Sequence, residues 1–162
     1  MSWPGRVGPE ALCAAGAIAQ IRRVGIPPFD IDDTIEIAFA DGAVFNIDIG
    51  LQGATDIEIY EGLLLERAYG HLRTEEPETF ARIARDWTHS AIEGVDWALG
   101  HTLTHLRQLS MTHPYRVEVG FVFACGARDL AIFGEADLIY IAALDDPEIA
   151  SFQLELGAYS AT

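Results

Sequence analysis

The stretch Thr34-Ile-Glu-Ile-Ala-Phe-Ala-Asp-Gly-Ala-Val-Phe-Asn-Ile-Asp-Ile49 decides the fold, because two alternating segments flank a turn in it. Apolar residues alternate with polar or small ones over 34–39 and, less cleanly, over 43–49. This alternation is typical of β-strands that bury one face. Asp41-Gly42 between the two segments is typical of a hairpin turn. The stretch therefore predicts an antiparallel β-hairpin.

The length of the hairpin loop follows from the face on which each side chain lies. A two-residue loop would set the apolar residues of one strand against polar residues of the other. A three-residue loop pairs Ile37 with Phe45 and keeps one face apolar. The same register pairs Ile35 with Ile47, and it places Gly42 at the left-handed position of a G1 bulge. We predict the three-residue loop.

Hydrophobic periodicity predicts the elements on either side of the hairpin. A first helix is predicted over 9–24, a third strand over 55–60, and a helix over roughly 62–73. From Pro77 onward, apolar residues recur with a 3.6-residue period, which predicts one long helix to about Ser110 or two helices broken near a glycine.

Alternation returns in the last third of the chain, where strands are predicted over 117–123, 130–133, 137–144 and 152–156. Hairpins that follow one another without intervening helices favour an antiparallel sheet. The sequence thus predicts an α+β fold, a mainly antiparallel sheet of about five to seven strands with two to four helices packed on one face.

The composition is that of one acidic folded domain, predicted over residues 1–162. Half of the residues are hydrophobic, and Lys+Arg 10 against Asp+Glu 25 gives a formal net charge of −15. All the basic residues are arginines. A surface of this charge repels nucleic acid and anionic lipid and attracts basic proteins. We therefore expect a basic protein partner, no nucleic acid and no membrane.

The cysteines and the N-terminal segment bear on cofactors and localisation. Cys13 and Cys125 lie among apolar residues without a CxxC partner, which indicates neither a metal site nor a redox pair. The Ala-rich run 11–19 has only a faint likeness to a signal peptide, and no segment is long and apolar enough for a bilayer. We predict a cytoplasmic protein without a cofactor.

The sharpest local motif is Phe29-Asp-Ile-Asp-Asp-Thr34. Its D-x-D-x-T spacing resembles the first motif of the haloacid-dehalogenase-like phosphatases. The resemblance implies Asp30 as the nucleophile, Asp32 as the general acid/base, and Mg²⁺ held by both. It also implies a parallel α/β sheet, and Asp145-Asp146 is similar to that family's late metal-binding pair. A Mg²⁺-dependent phosphatase is therefore an alternative function.

Two histidines, His101 and His105, are four residues apart and would share one face of a helix. That spacing suits zinc, but structural zinc sites need about four ligands and only two are placed here. In an unbroken helix from Pro77, His105 would fall in line with Trp87 on the apolar stripe. We therefore predict no metal site, and either a partly buried, hydrogen-bonded His105 or a stacking contact from Trp97 to His101.

Acidic residues that flank the first strands form the candidate partner-binding site. Glu36 and Glu58 each lie between two isoleucines, so their side chains point away from the apolar face. An outward acidic sheet face can bind Arg and Lys side chains of a partner. The predicted partner-binding residues are Asp30, Asp32, Asp33, Glu36, Asp48, Asp56 and Glu58.

These features together favour a binding protein over an enzyme. Small size, acidity, an α+β composition and the lack of a convincing catalytic set resemble bacterial immunity proteins as a class. We expect an inhibitor or immunity-type protein that neutralises a basic toxin or enzyme by occluding its active site. The phosphatase is one alternative, and a structural or adaptor subunit of a homo-oligomer is another.

Overall fold

Two antiparallel sheets make up most of the computed structural model, which describes residues 5–26, 34–49 and 57–159. Sheet 1 has the strand order β1-β5-β4-β3-β2-β6, and sheet 2 has the order β10-β9-β8-β7-β11. The strands are β1 Arg6–Val7, β2 Ile18–Gly25, β3 Ile35–Phe39, β4 Val44–Ile49, β5 Ile57–Glu61, β6 Thr88–Ala91, β7 Leu103–Met111, β8 Val117–Cys125, β9 Arg128–Glu135, β10 Leu138–Ala143 and β11 Leu154–Tyr159.

The helices are short and lie between the strands. They are α1 Glu10–Ala14, α2 Leu64–Tyr69, α3 Leu72–Glu75 and α4 Pro77–Asp86, with 3₁₀ helices at Asp96–Ala98 and Pro147–Phe152. Pro77 opens α4 as predicted, since proline needs no N–H in the first turn. In the described ranges, no helix has both the length and the apolar character needed to cross a membrane.

One apolar cluster joins the two sheets. It contains Ile35, Ile37 and Ile47 from sheet 1 together with Phe123 and Ile132 from sheet 2, all fully buried. Each sheet therefore turns one apolar face toward the other. Apolar burial of this kind stabilises a fold by about 25 cal/mol per Å².

The predicted hairpin is confirmed in its register. Ile35 pairs with Ile47 and Ile37 pairs with Phe45 across β3 and β4. Gly42 has φ +96°, so the left-handed position of the three-residue loop does carry glycine. The apolar face and the turn residue therefore fixed the same register.

The antiparallel architecture is confirmed, but the strand number and the helix layer are not. Over the described ranges, eleven strands in two sheets replace the predicted five to seven strands in one. Two segments predicted as helix, within 9–24 and 88–110, contain the long strands β2 and β7 instead. The second sheet takes the position over the apolar core that the predicted helices were expected to fill.

A bulge explains the wrong helix prediction at β2. The register with β3 shifts between Ile18 and Gln20, so Ile18 and Ile21 both reach the core although they are three residues apart. Val24 is buried on the opposite face of the strand. Apolar residues at intervals of three imitate a helical period, and a β-bulge produces that interval in a strand.

The same arrangement recurs in β7. Its register with β8 shifts between Thr104 and Arg107, so Leu103 and Leu106 both enter the core cluster. Leu109 is buried in a second apolar cluster, on the outer face of sheet 2. His105 lies inside the bulge with φ +51°. A bulge and a change of face therefore reproduce the spacing of an amphipathic helix.

The outer face of sheet 2 is apolar and is covered by the second 3₁₀ helix. Phe133 stacks on Tyr140 with ring centroids 5.2 Å apart, and Phe152 of the 3₁₀ helix meets Phe133 edge-on at 5.6 Å. Asp146 caps this helix, because its Oδ1 accepts the Glu148 N–H at 2.9 Å. The outer face of sheet 1 is polar, and it carries the candidate site.

Candidate functional site

A row of polar side chains crosses the outer face of sheet 1 from strand to strand. Arg22 pairs with Glu36, Glu36 with Asn46, Asn46 with Tyr60, and Tyr60 with Arg6. Cross-strand neighbours of this kind lie about 5 Å apart and interact directly. We call Arg6, Arg22, Glu36, Asn46 and Tyr60 the polar row. Alternation in each strand places these side chains opposite the apolar core.

Glu36 lies at the centre of the polar row and is fully engaged by its neighbours. Its Oε1 accepts Arg22 Nε at 3.2 Å and Nη2 at 2.9 Å. Its Oε2 accepts the backbone N–H of Leu64 at 2.8 Å. Leu63 supplies no side-chain cap to α2, so the Glu36 carboxylate satisfies an N–H at the start of that helix. Glu36 therefore joins sheet 1 to α2.

Arg67 fastens α2 to the same face from the other side. Its Nη2 donates to Asp48 Oδ2 at 2.8 Å, and its Nε donates to Asn46 Oδ1 at 2.8 Å. Its guanidinium also lies 4.0 Å above the centre of the Tyr60 ring. Cation–π contacts of this kind add to the attraction when water is excluded. Arg67 thus compensates Asp48 and covers part of the polar row.

Glu58 forms a second group with Tyr60 and Arg6. The Tyr60 hydroxyl donates to Glu58 Oε2 at 2.5 Å, and Arg6 Nη1 lies 3.1 Å from Glu58 Oε1. Burial, and then the hydrogen bond to Glu58, raise the pKa of Tyr60 to about 12. The phenol therefore stays protonated at neutral pH and remains a donor to Glu58.

A pocket of about 340 Å³ opens beside Glu58, where β1 ends. Val7 pairs with Ile59 at the end of β1, Pro9 has no N–H to continue the ladder, and α1 starts at Glu10. The chain therefore leaves the edge of β5 next to Glu58. The pocket is lined by Arg6, Val7, Gly8, Pro9, Ile57, Glu58, Ile59 and Phe121.

The structure brings three of the predicted partner-binding residues together, Glu36, Asp48 and Glu58. The expectation of a solvated acidic face is wrong for them, since the three side chains are 1%, 29% and 7% exposed and each is paired with an arginine. The prediction that these side chains point away from the apolar core is correct, but α2 packs on the outer face of sheet 1. The other four predicted residues, Asp30, Asp32, Asp33 and Asp56, lie outside the described residues.

Sequence reasoning missed the arginines of this site. Arg22 falls in the helix predicted over 9–24, and Arg67 falls in the helix predicted over roughly 62–73. One signal was present in the sequence. If 18–25 is read as a strand antiparallel to β3, Arg22 falls opposite Glu36, and opposite charges across a strand pair attract.

The strands around the D-x-D-x-T motif do not have the arrangement that the phosphatase resemblance implies. β2 and β3 flank the motif and are antiparallel neighbours in sheet 1, where a parallel sheet was implied. Asp145 is paired with Arg128 at 2.9 Å and Asp146 caps a helix. Over the described ranges, no group of three or more His, Cys, Asp or Glu side chains is placed to hold a metal ion.

The two histidines do not share a helix face. His101 precedes β7 and its ring lies against Gly126, while His105 sits in the β7 bulge and contacts Thr104 Oγ1 at 3.0 Å. Both side chains are exposed, so the predicted partial burial of His105 is wrong. The i, i+4 spacing has no helix here to bring the two rings to one face, because β7 is a strand.

Comparisons of the chain with protein-family models, curated proteins and solved structures find no match.

Proposed function

We propose that this protein is a non-catalytic binding module that attaches to a basic protein and occludes its active site, as an immunity or inhibitor protein does. One observation carries the proposal: at least seven of the ten arginines are paired with carboxylates of the chain itself, so the surplus of carboxylates remains uncompensated. The ion pairs between described residues include Arg6–Glu58, Arg22–Glu36, Arg67–Asp48, Arg73–Glu66, Arg85–Asp86, Arg116–Glu155 and Arg128–Asp145. Each pair neutralises one carboxylate, and the chain has a net charge of −15.

Uncompensated carboxylates lie on two separate parts of the surface. On the sheet 2 side, exposed acidic side chains without an ion pair to another described residue include Glu118, Asp129 and Asp137. On the helical side, Glu75, Glu76 and Glu78 are exposed in the same way. Acidic surfaces of this kind raise the encounter rate with a cationic partner and make it sensitive to salt.

Exposed apolar side chains supply the anchors that a stable interface needs. Among the described residues, Tyr115 is the most exposed of the large apolar ones, and Leu99 and Leu138 are also exposed. Interfaces combine an apolar or aromatic centre with a polar rim. An acidic surface of this kind suits a basic cleft better than it suits nucleic acid, whose phosphates it would repel.

Capture from a lysate of the source organism tests the proposal. The protein is immobilised at low salt, and proteins that elute at high salt are identified by mass spectrometry. We expect one stoichiometric basic protein whose activity falls when the complex forms. If the protein instead recovers only itself and forms a homo-oligomer, the adaptor alternative replaces the proposal. Hydrolysis of a phosphate ester with Mg²⁺, lost in Asp30→Asn, would favour the phosphatase.

Two triple variants separate a specific acidic face from general charge. One carries Glu75→Gln, Glu76→Gln and Glu78→Gln, and the other carries Glu118→Gln, Asp129→Asn and Asp137→Asn. Each removes the same charge, so the two serve as matched controls for each other. We expect one set to weaken partner binding at least tenfold more than the other. If both sets weaken binding equally and no stoichiometric partner is found, the binding is general charge attraction, and an occluding interface is contradicted.

A further inference from the structure

The ion pair between Arg6 and Glu58 is held less firmly than the others on the outer face of sheet 1. Arg22 and Arg67 are 16% and 18% exposed, and each makes hydrogen bonds to two different side chains. Arg6 is 44% exposed, lies on a strand of two residues, and meets Glu58 through a single 3.1 Å contact. Glu58 is nevertheless buried, so its carboxylate depends on a cation that is easily replaced.

The pocket beside this ion pair has the composition that an arginine side chain needs. Val7, Pro9, Ile57, Ile59 and Phe121 give it apolar walls from both sheets, and its volume of about 340 Å³ admits one long side chain. Arginine stems pack on apolar surface while the guanidinium meets a polar group. The pocket therefore matches both the stem and the charged end of arginine.

We propose that this pocket receives an arginine side chain of the basic partner, whose guanidinium binds Glu58 Oε1 in place of Arg6. The inference rests on the proposed function, because it takes the partner to be basic. Glu58 Oε2 already accepts the Tyr60 hydroxyl, so Oε1 is the oxygen left for a cation. Arginine suits a buried carboxylate better than lysine, because its guanidinium is less strongly hydrated.

Exchange of the cation is favourable because the two ion pairs differ in their surroundings. An ion pair whose cation stays in water contributes little, and Arg6 returns to water when it leaves. The bound partner would cover the open side of the pocket and exclude water from the new ion pair, and the attraction is stronger where water is excluded. Glu58 never loses a counter-cation during the exchange, which avoids the cost of an unpaired buried charge.

Chemical rescue tests the pocket without the partner. Arg6→Ala empties the cationic position, and ethylguanidinium at millimolar concentration serves as the probe, with ethylammonium and sodium chloride at equal ionic strength as controls. Backbone NMR shifts of Gly8, Ile57 and Phe121 report binding. We expect Arg6→Ala to bind ethylguanidinium at least tenfold more tightly than the wild type does, and more tightly than it binds ethylammonium.

The double variant Arg6→Ala/Glu58→Gln shows whether the carboxylate is responsible. Its shifts should not saturate with ethylguanidinium, and equal binding by the single and double variants would overturn the proposal. If Arg6→Ala does not fold, Arg6→Gln takes its place, and the wild type is titrated directly. Absence of saturable shifts in these proteins would also overturn it.

Binding of the captured partner distinguishes a failure of this pocket from a failure of the proposed function. Because Arg6 competes with the incoming arginine, Arg6→Ala should bind the partner several-fold more tightly than the wild type. A partner that binds Arg6→Ala and wild type equally leaves the binding module intact and overturns only the pocket. If the pocket binds ethylguanidinium but capture from the lysate yields no basic protein, the proposed function is contradicted and the guanidinium site itself is not.

Discussion

The two sheets share one core but bury their outer faces by different means. On sheet 1 the outer face carries the polar row, and α2 covers it with hydrogen bonds and ion pairs. On sheet 2 the corresponding row is apolar and packs against the second 3₁₀ helix. That row is Leu156, Leu109, Gly120, Phe133 and Tyr140. The centre of the polar row is therefore buried as fully as Leu109 and Phe133, and each of its polar groups has a partner. That centre consists of Glu36, Asn46 and Tyr60.

The comparison predicts different weaknesses for the two faces. The polar row is sensitive to loss of a single charge, because the remaining partner is left buried and unpaired. The apolar row is sensitive to volume, because its side chains and backbone are already in contact. Substitutions that change charge on sheet 1 and substitutions that change volume on sheet 2 therefore test whether the two outer faces are stabilised differently.

Glu36→Ala is expected to have the largest effect. It leaves the half-buried Arg22 guanidinium uncompensated and the Leu64 N–H without its acceptor. Removing one partner of a buried ion pair costs about 3–5 kcal/mol. Urea denaturation should show this loss in the free energy of unfolding. Glu66→Ala, which removes the carboxylate of an exposed pair with Arg73, is the matched control and should cost far less.

Gly120→Ala tests the apolar row with a single methyl group. A Cβ at this position would lie 2.1 Å from the Ile132 carbonyl oxygen and 2.6 Å from Phe133 Cα, both backbone atoms of β9. The strands would have to separate, which costs about 3 kcal/mol. Gly157→Ala in β11 is the control, since its Cβ would come no closer than 3.3 Å to Gln108. Equal losses in both variants would contradict close packing at Gly120.

The fold could be predicted from the sequence where local signals agreed and not where bulges intervened. In the hairpin, the alternation of Ile35 and Ile37 and the glycine at position 42 pointed to one register, which the structure has. In β2 and β7, bulges placed apolar residues three apart, and that interval is indistinguishable from part of a helical period. No signal within a single strand reveals a bulge, because it depends on the partner strand.

For the candidate site, the sequence indicated the direction of the side chains but not the helix that covers them. Alternation placed Glu36 and Glu58 away from the core correctly. Whether such a face meets water depends on where α2 packs. Two contacts hold α2 in place, Glu36 with Leu64 and Arg67 with Asp48, and both join segments that are far apart in the chain. The pocket beside Glu58 was equally invisible, because Phe121 reaches it from the other sheet.

The Tyr60 hydroxyl gives the polar row a signature at high pH. Its pKa is raised from 10.0 to about 12, so its contribution to stability is complete below pH 10 and is lost as the pH rises through about 12. The shift corresponds to about 3 kcal/mol of unfolding free energy. Urea denaturation between pH 9 and 12 should show this loss in wild type and not in Tyr60→Phe. Tyr115→Phe, which alters an exposed tyrosine, should behave like wild type.

The exposed pair of Glu66 and Arg73 should show the smallest effect, with the opposite pH dependence. The hydrogen bond from Arg73 lowers the pKa of Glu66, so its contribution is present above the usual glutamate pKa and fades as the pH falls through the lowered value. Because both side chains are exposed, salt screens this pair, whereas the buried Arg22–Glu36 pair is screened much less. The free energies of unfolding of Glu66→Ala and Glu36→Ala are each compared with that of wild type at low and at high salt. High salt should remove the difference between Glu66→Ala and wild type. The difference between Glu36→Ala and wild type should remain. A loss at Glu36 that vanished in high salt would mean that water reaches the polar row, and that the two outer faces differ in exposure as well as in chemistry.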